Sequence, residues 1–218
     1  MKIVEIECKR FSEWDKITQE KILDKHRDIN VDHEWWDGTY EYWAEKLIQM
    51  GFDVTETKFK DEYKWNPETS KREKTGGRVK YTDYLINFSG FYSQGDGASF
   101  TGQVDILKWL KFTNNPKYAR IVKLLESGAL ECSGNIKRNK WHRYVHWNTT
   151  TLYLNWEERE RRYVRDELKN INYLLGDIEN DCFKHHQDLN KEIYAELEKE
   201  YDYLTSNRVA VSYTHLRA

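Results

Sequence analysis

The sequence predicts an α+β protein with a mostly antiparallel sheet, N-terminal helices and a C-terminal helical pair. Two observations predict it: apolar residues recur at helical spacing near both ends of the chain, and segments alternating with a period of two lie side by side between them. No repeat of 20 to 50 residues is present, which disfavours solenoids. The expected organisation is an α+β domain over 1–156, a helical segment over 157–210 and a tail over 211–218.

Residues 2–9 alternate as a first strand, with Val4, Ile6 and Cys8 on one face. Ser12, followed by acidic residues, then opens a helix reaching about His26. A second helix starts near Asp32 and carries Trp36, Tyr40, Trp43, Leu47 and Met50 as one stripe, which Gly51 stops. Phe52, Val54, Thr57 and Phe59 suggest a strand, and 61–78, with Pro67, Gly76, Gly77 and many charges, has the composition of an exposed excursion. Residues 81–92 and 98–107 form a hairpin around 93–97. Pro116 opens a helix that Gly128 ends. Strands follow over 129–137 and 141–154. Val164, Leu168, Ile171 and Leu175 then make a helix closed by Gly176, and Ile178, Cys182, Leu189, Ile193, Leu197, Tyr201 and Leu204 make another.

The chain of 218 residues is 33% charged and 39% apolar, and its nine Trp and fifteen Tyr must do much of the burying. A net charge of -2 and a pI near 6.4 argue against a surface built throughout to hold nucleic acid, though local basic patches remain allowed. Three widely spaced cysteines, Cys8, Cys132 and Cys182, suggest neither a disulfide framework nor a zinc knuckle. No signal peptide or membrane-length apolar run is read, so the expected location is the cytoplasm, with no membrane partner. The last residues, 211–218, look like translated sequencing-adapter read-through, leaving the natural C-terminus missing, and Tyr213, His215 and Arg217 receive no functional weight.

The candidate site is the hairpin Ser89-Gly90-Phe91-Tyr92-Ser93-Gln94-Gly95-Asp96-Gly97-Ala98-Ser99. Gly95 and Gly97 flank one carboxylate and let the chain take positive φ on either side of Asp96, and successive amides in such a turn can form an anion-binding nest. The bland alternative is a plain hairpin turn with Ser89, Ser99 and Thr101 facing solvent. Against it stand Gly90 and Gly102, inside the strands, where glycine costs stability unless something approaches the backbone closely.

Ser89-Gly90-Phe91, Ser93 to Ala98, Phe100 and Gly102 resemble the signature of a family of small proteins from tailed-phage and prophage genomes. His26 to Asp32 with Trp35, Trp36, Tyr40 and Glu41 is similar to the family's segment before the hairpin. Tyr144 and His146 fall where relatives carry a Tyr-x-His strand motif, and Tyr201 to Ser206 resembles their late helix end. The chain departs from the pattern in the insertion-like 61–78, in Ser99, where relatives often carry a small residue or cysteine, and in its C-terminal tail. The resemblance implies phage origin and a shared site, and no activity.

Other constellations are weaker. His33-Glu34-Trp35-Trp36-Asp37 lacks the second histidine of a zincin helix. His142 and His146, two strand periods apart on one face, would be about 13 Å apart, too far to share a metal. His146 and Asp96 could form an acid-base pair, but no nucleophile elbow accompanies them. The adjacent histidines His185 and His186 are expected on the solvated surface of a charged helix. The basic runs 71–80 and 137–143, the latter with Trp141, have the composition of a phosphate-binding surface with a stacking platform, though a solvated loop and a strand edge explain them too.

These readings favour binding over turnover. The expected function is a phage accessory protein that inhibits a host defence protein or sequesters its nucleotide signal. Ser89, Ser93, Gln94, Gly95, Asp96, Gly97 and Ser99 would form the contact, with Tyr144 and His146 as the adjacent wall. No catalytic residue, resident metal or cofactor is assigned, and a nucleic-acid partner is not expected. One alternative is a metal-dependent phosphodiester hydrolase or nuclease using Asp96 and His146. Another is an antitoxin-like protein binder acting through its C-terminal helices, which could also make a homo-oligomer contact.

Overall fold

The structure is a computed structural model that describes residues 10–139, 141, 144–159 and 171–214. The expected first strand, 2–9, lies outside the described residues, as do Val164, Leu168 and His142. The chain divides into two compact units, one formed by Met1–Thr39 with Ala195–Ala218 and the other by Tyr40–Tyr194. Among the described residues no helix is long and apolar enough to cross a membrane.

In the first unit, helix α1 (Lys16–His26) is capped by Asp15, whose carboxylate accepts from the Thr18 amide at 3.0 Å and the Thr18 hydroxyl at 2.7 Å. Ser12, the expected cap, instead sits in a single 3-10 turn, Phe11–Glu13. The extended backbone at Trp14 separates that turn from the helix, and Gln19 Nε2 donates to the Phe11 and Trp14 carbonyls at 3.1 and 2.9 Å. Helix α6 (Asn207–Thr214) packs on α1 and on the 3-10 turn Arg27–Asn30, with Ala210 and Leu23 buried. Trp35 meets Trp36 and Tyr201 at ring separations of 5.7 and 5.9 Å.

The second unit is built on helix α2 (Asp37–Gln49), which starts later than the expected Asp32 and leaves Trp36 ahead of it; its Tyr40, Trp43 and Leu47 are buried together with Met50, as their spacing predicts. Gly51, at φ 98°, turns the chain into strand β1 (Phe52–Asp53). Two excursions follow before the chain returns to the sheet. The first is a long antiparallel ribbon, β2 (Thr55–Asn66) with β3 (Lys71–Tyr84), so the expected exposed loop is regular β structure with little burial. The second is the short hairpin of β4 (Ile86–Phe88) and β5 (Ala98–Phe100).

Strand β6 (Gly102–Val104) then pairs with β1 on one side and β7 (Leu130–Arg138) on the other, and β7 pairs with β8 (Thr150–Glu158), giving the antiparallel order β1-β6-β7-β8. The row Phe52, Val104, Gly134 and Leu154 faces inward; Asp53, Gln103, Asn135 and Tyr153 form the next row on the opposite face. Between β6 and β7 run α3 (Ile106–Thr113) and α4 (Ala119–Glu126), which bury Trp109, Leu110, Ile121 and Leu124. Helix α5 (Asn172–Leu204) is continuous through Gly176, where a stop was expected, and through Tyr194 it belongs to the same unit as the sheet. Tyr118 Oη donates to Asp181 at 2.5 Å and Lys117 pairs with Asp177 at 2.8 Å, joining the 3-10 turn before α4 to α5.

The glycine inside β6 has a structural cause. The chain changes sheets at Leu85 and Thr101, where the Leu85 amide donates to the Val54 carbonyl at 2.7 Å and the Thr101 amide to the Leu85 carbonyl at 2.9 Å. This corner brings Gly102, at φ 141°, so close to β1 that a Cβ would lie 2.0 Å from the Asp53 carbonyl oxygen. The close approach is made by the protein's own backbone.

Candidate functional site

The loop 89–97 is braced from within. The Ser89 amide donates to the Gly97 carbonyl at 3.1 Å, which extends the β4–β5 pairing by one step. Further out, the Ser93 amide donates to Asp96 Oδ2 at 2.8 Å while the Asp96 amide donates to the Ser93 carbonyl at 3.1 Å. Asp96 is therefore half-buried and turned into its own loop. Just before this lock, Tyr92 holds φ 71° and is 72% exposed. A bulky residue in that region carries about 1–3 kcal/mol of strain and persists only where neighbours over-determine it.

A second segment closes on the loop. An added Cβ at Gly95 would lie 3.3 Å from the Tyr144 ring, and one at Gly97 would lie 3.0 Å from His146 Cδ2 and 3.2 Å from the Val145 carbonyl oxygen. Ser89 Oγ donates to that same carbonyl at 3.0 Å. The wall has its own supports. Arg138 donates to the Tyr144 carbonyl at 2.9 Å, and His146 caps the 3-10 turn Trp147–Thr149. His146 Nδ1 accepts from the Asn148 amide at 3.2 Å, which places the proton of the neutral ring on Nε2. Burial holds the His146 pKa below its ordinary value, and the ring lies 3.6 Å from that of Trp147. Tyr194 of α5 links both segments, at 5.5 Å from Phe91 and 6.5 Å from Trp147, and Phe91 stacks on Phe88 at 5.5 Å.

A family model for a domain of unknown function, DUF8835, matches residues 35–207. The chain belongs to the DUF8835 family. Comparison with curated proteins and with solved structures returns no match. The DUF8835 region contains the whole loop, its wall and the α5 residues that support them.

Within this DUF8835 chain the fold brings Gly95 against Tyr144, Gly97 against His146 and Ser89 onto the Val145 carbonyl, turns Asp96 into its own loop, and leaves Ser93, Gln94 and Tyr144 exposed. Gly97 and Ser99 are corrections. Gly97 is buried against His146 and the Val145 carbonyl, and Ser99 is 2% exposed because β5 is enclosed, so neither can meet a partner. The glycines are also reinterpreted: at Gly95, Gly97 and Gly102 the space that glycine leaves is filled by the protein's own residues. Tyr144 and His146 do not lie in a strand as expected. The His146 cap delays β8 until Thr150, so the strand-based separation from His142 has no basis. Trp141 is 91% exposed, and the neighbouring Lys140, His142 and Arg143 lie outside the described residues.

His186 overturns a further expectation. It is fully buried, its Nε2 facing the Phe100 carbonyl at 3.2 Å, while Asn190 Oδ1 accepts from the Phe100 amide at 2.9 Å. One turn of α5 thus satisfies both backbone groups on the free edge of β5. A signal was present in the sequence, since His186 falls four residues after Cys182 and three before Leu189 on the apolar stripe.

As acid-base chemistry the pair is poorly disposed: an Asp96 oxygen is committed to the Ser93 amide and the basic nitrogen of His146 to the Asn148 amide. Among the described residues no group of three or more His, Cys, Asp or Glu could hold a metal ion. Burial pushes the Cys132 thiol up to about 12 and Cys182 higher still, so neither is a thiolate nucleophile. Elsewhere, a cleft of about 1040 Å³ lies on the outer sheet face at Asp53, Gln103, Asn135 and Tyr153. Such a polar face is what an antiparallel sheet packed on one side presents to water.

Proposed function

We propose that this protein acts by binding, as a phage accessory protein that captures a host defence protein, with the 89–97 loop and Tyr144 as the contact surface. The observation that carries the reading is a loop locked by its own chain while Tyr92, Ser93, Gln94 and Tyr144 stay exposed. Tyrosine with small polar residues on a braced loop is the chemistry of protein-recognition surfaces, where rigidity reduces the entropy lost on association. The resemblance to phage proteins supplies the biological setting. A nucleotide-sequestering role is less favoured, because the Ser89, Ser93 and Asp96 amides that an anion would need already have partners inside the loop.

The test is capture from a bacterial lysate with the full chain, compared with a Tyr92→Ala/Tyr144→Ala variant and with Tyr203→Ala, an exposed tyrosine of the other unit. A protein retained in stoichiometric amount by wild type and Tyr203→Ala should be retained at least about tenfold less by the double variant, the loss expected of an aromatic anchor. Unchanged melting temperature establishes that the variants fold. Equal retention by all three, or release of a nucleotide instead of a protein on heat denaturation, would contradict the proposal.

A further inference from the structure

We infer that the β2–β3 ribbon is an arm that binds single-stranded nucleic acid, a role separate from that of the 89–97 loop. The ribbon is a two-stranded sheet by itself, and none of its residues is buried. It nevertheless displays Phe59, Tyr63 and Trp65, which are 62%, 55% and 61% exposed. These three residues alternate along β2 with Asp61; the register shifts between Asp61 and Tyr63, where β3 carries the extra residues of a bulge, and the Asp61–Lys74 ion pair at 2.7 Å spans it, so both halves present these side chains on one face. Their cross-strand partners on β3 are cationic: Lys80 opposite Phe59, Arg78 opposite Asp61, Lys74 opposite Tyr63 and Arg72 opposite Trp65.

Charge is segregated between the two faces. The aromatic face has four cations and one carboxylate, Asp61, which Lys74 pairs at 2.7 Å, leaving three positive charges in excess. On the reverse face, Lys58, Lys60, Lys64 and Lys71 are offset by Glu56, Glu62, Glu73 and Asp83, and Lys58 bridges Glu56 and Asp83 directly. A ribbon that needed charge only for solubility would gain nothing from this division. Each exposed ring has a cation directly across the strand, about 5 Å away between Cβ atoms. A ring on which a base stacks, beside a cation for its phosphate, is the repeating unit of single-strand recognition. Duplex bases are already stacked on one another and could not use these rings. The modest negative charge of the whole chain does not oppose this, because phosphate contacts depend on the local field.

The test is fluorescence anisotropy of labelled 20-nucleotide oligo(dT) and oligo(U), with a duplex of equal length, titrated with the full chain. Single strands should bind more tightly than duplex, with affinity falling with salt at a log-log slope of about -2, the value for three phosphates neutralised. Trp65→Ala should weaken binding about tenfold. Arg78→Gln with Lys80→Gln should reduce the slope to about -0.7. A preference between the two oligonucleotides would identify DNA or RNA as the ligand; equal affinity leaves the shared chemistry as the site's specificity. All these side chains are exposed, so an unchanged melting temperature is the folding control. The inference fails if duplex binds as well as single strands, if no binding is seen at 50 mM salt, or if Trp65→Ala binds like wild type.

Discussion

Gly102→Ala is expected to abolish the cooperative unfolding transition. The added methyl would sit 2.0 Å from the Asp53 carbonyl oxygen, in a backbone conformation at φ 141° that side-chain-bearing residues rarely adopt. The atom in the way is main chain of the neighbouring strand, so no side-chain rotation can relieve the clash. Moving β1 instead would uncover Phe52, which is fully buried. The combined cost should exceed about 5 kcal/mol, comparable with the whole stability of a domain. Circular dichroism during heating measures this directly. Gly176→Ala is the control, because an added methyl there meets nothing within 4 Å, and it should keep its transition. A Gly102→Ala melting temperature within a few degrees of wild type would contradict the corner geometry.

The second large effect is a pH dependence centred on His186. Burial pushes its pKa down from 6.5 to about 4, a penalty that its contact with the Phe100 carbonyl only partly offsets. Below pH 6.5 the unfolded chain takes up a proton that the folded protein refuses until about pH 4. Stability therefore falls as pH drops through that window, by about 3 kcal/mol in all, and this contribution is flat above it. Denaturant unfolding at pH 7 and pH 4.5, in wild type and His186→Gln, isolates the contribution. The glutamine can still donate to the Phe100 carbonyl but does not titrate, so the stability difference between the two proteins should narrow or reverse at low pH. An unchanged difference would mean that His186 is not a buried neutral group.

Where periodicity was strong, the elements were legible. The Tyr40, Trp43, Leu47 and Met50 stripe and the Pro116-to-Gly128 helix region follow from spacing and caps. Helix α3 is hidden because 98–107 reads as one strand. Asp105, whose side chain accepts from the Lys108 amide at 3.0 Å, and the i, i+3, i+4 spacing of Ile106, Trp109 and Leu110 mark its start. The β8 boundary was hidden for another reason. His146 caps a turn through its ring nitrogen, and residue patterning does not reveal which side chain bonds its own backbone. In the candidate site the proximity of Tyr144 and His146 to the glycines came with the resemblance, while the reason for those glycines needed coordinates. A gap left by a missing Cβ looks the same in sequence whether the chain itself or another molecule fills it.

Amide hydrogen exchange at Ser93 and Asp96 tests most directly whether the glycine-rich loop is held rigid by its own chain. Both amides should exchange at least about a hundredfold more slowly than in an unstructured peptide, and Ser93 should lose that protection in Asp96→Ala while the β7–β8 amides keep theirs. Exchange of both at the free-peptide rate in the wild-type protein would contradict the account.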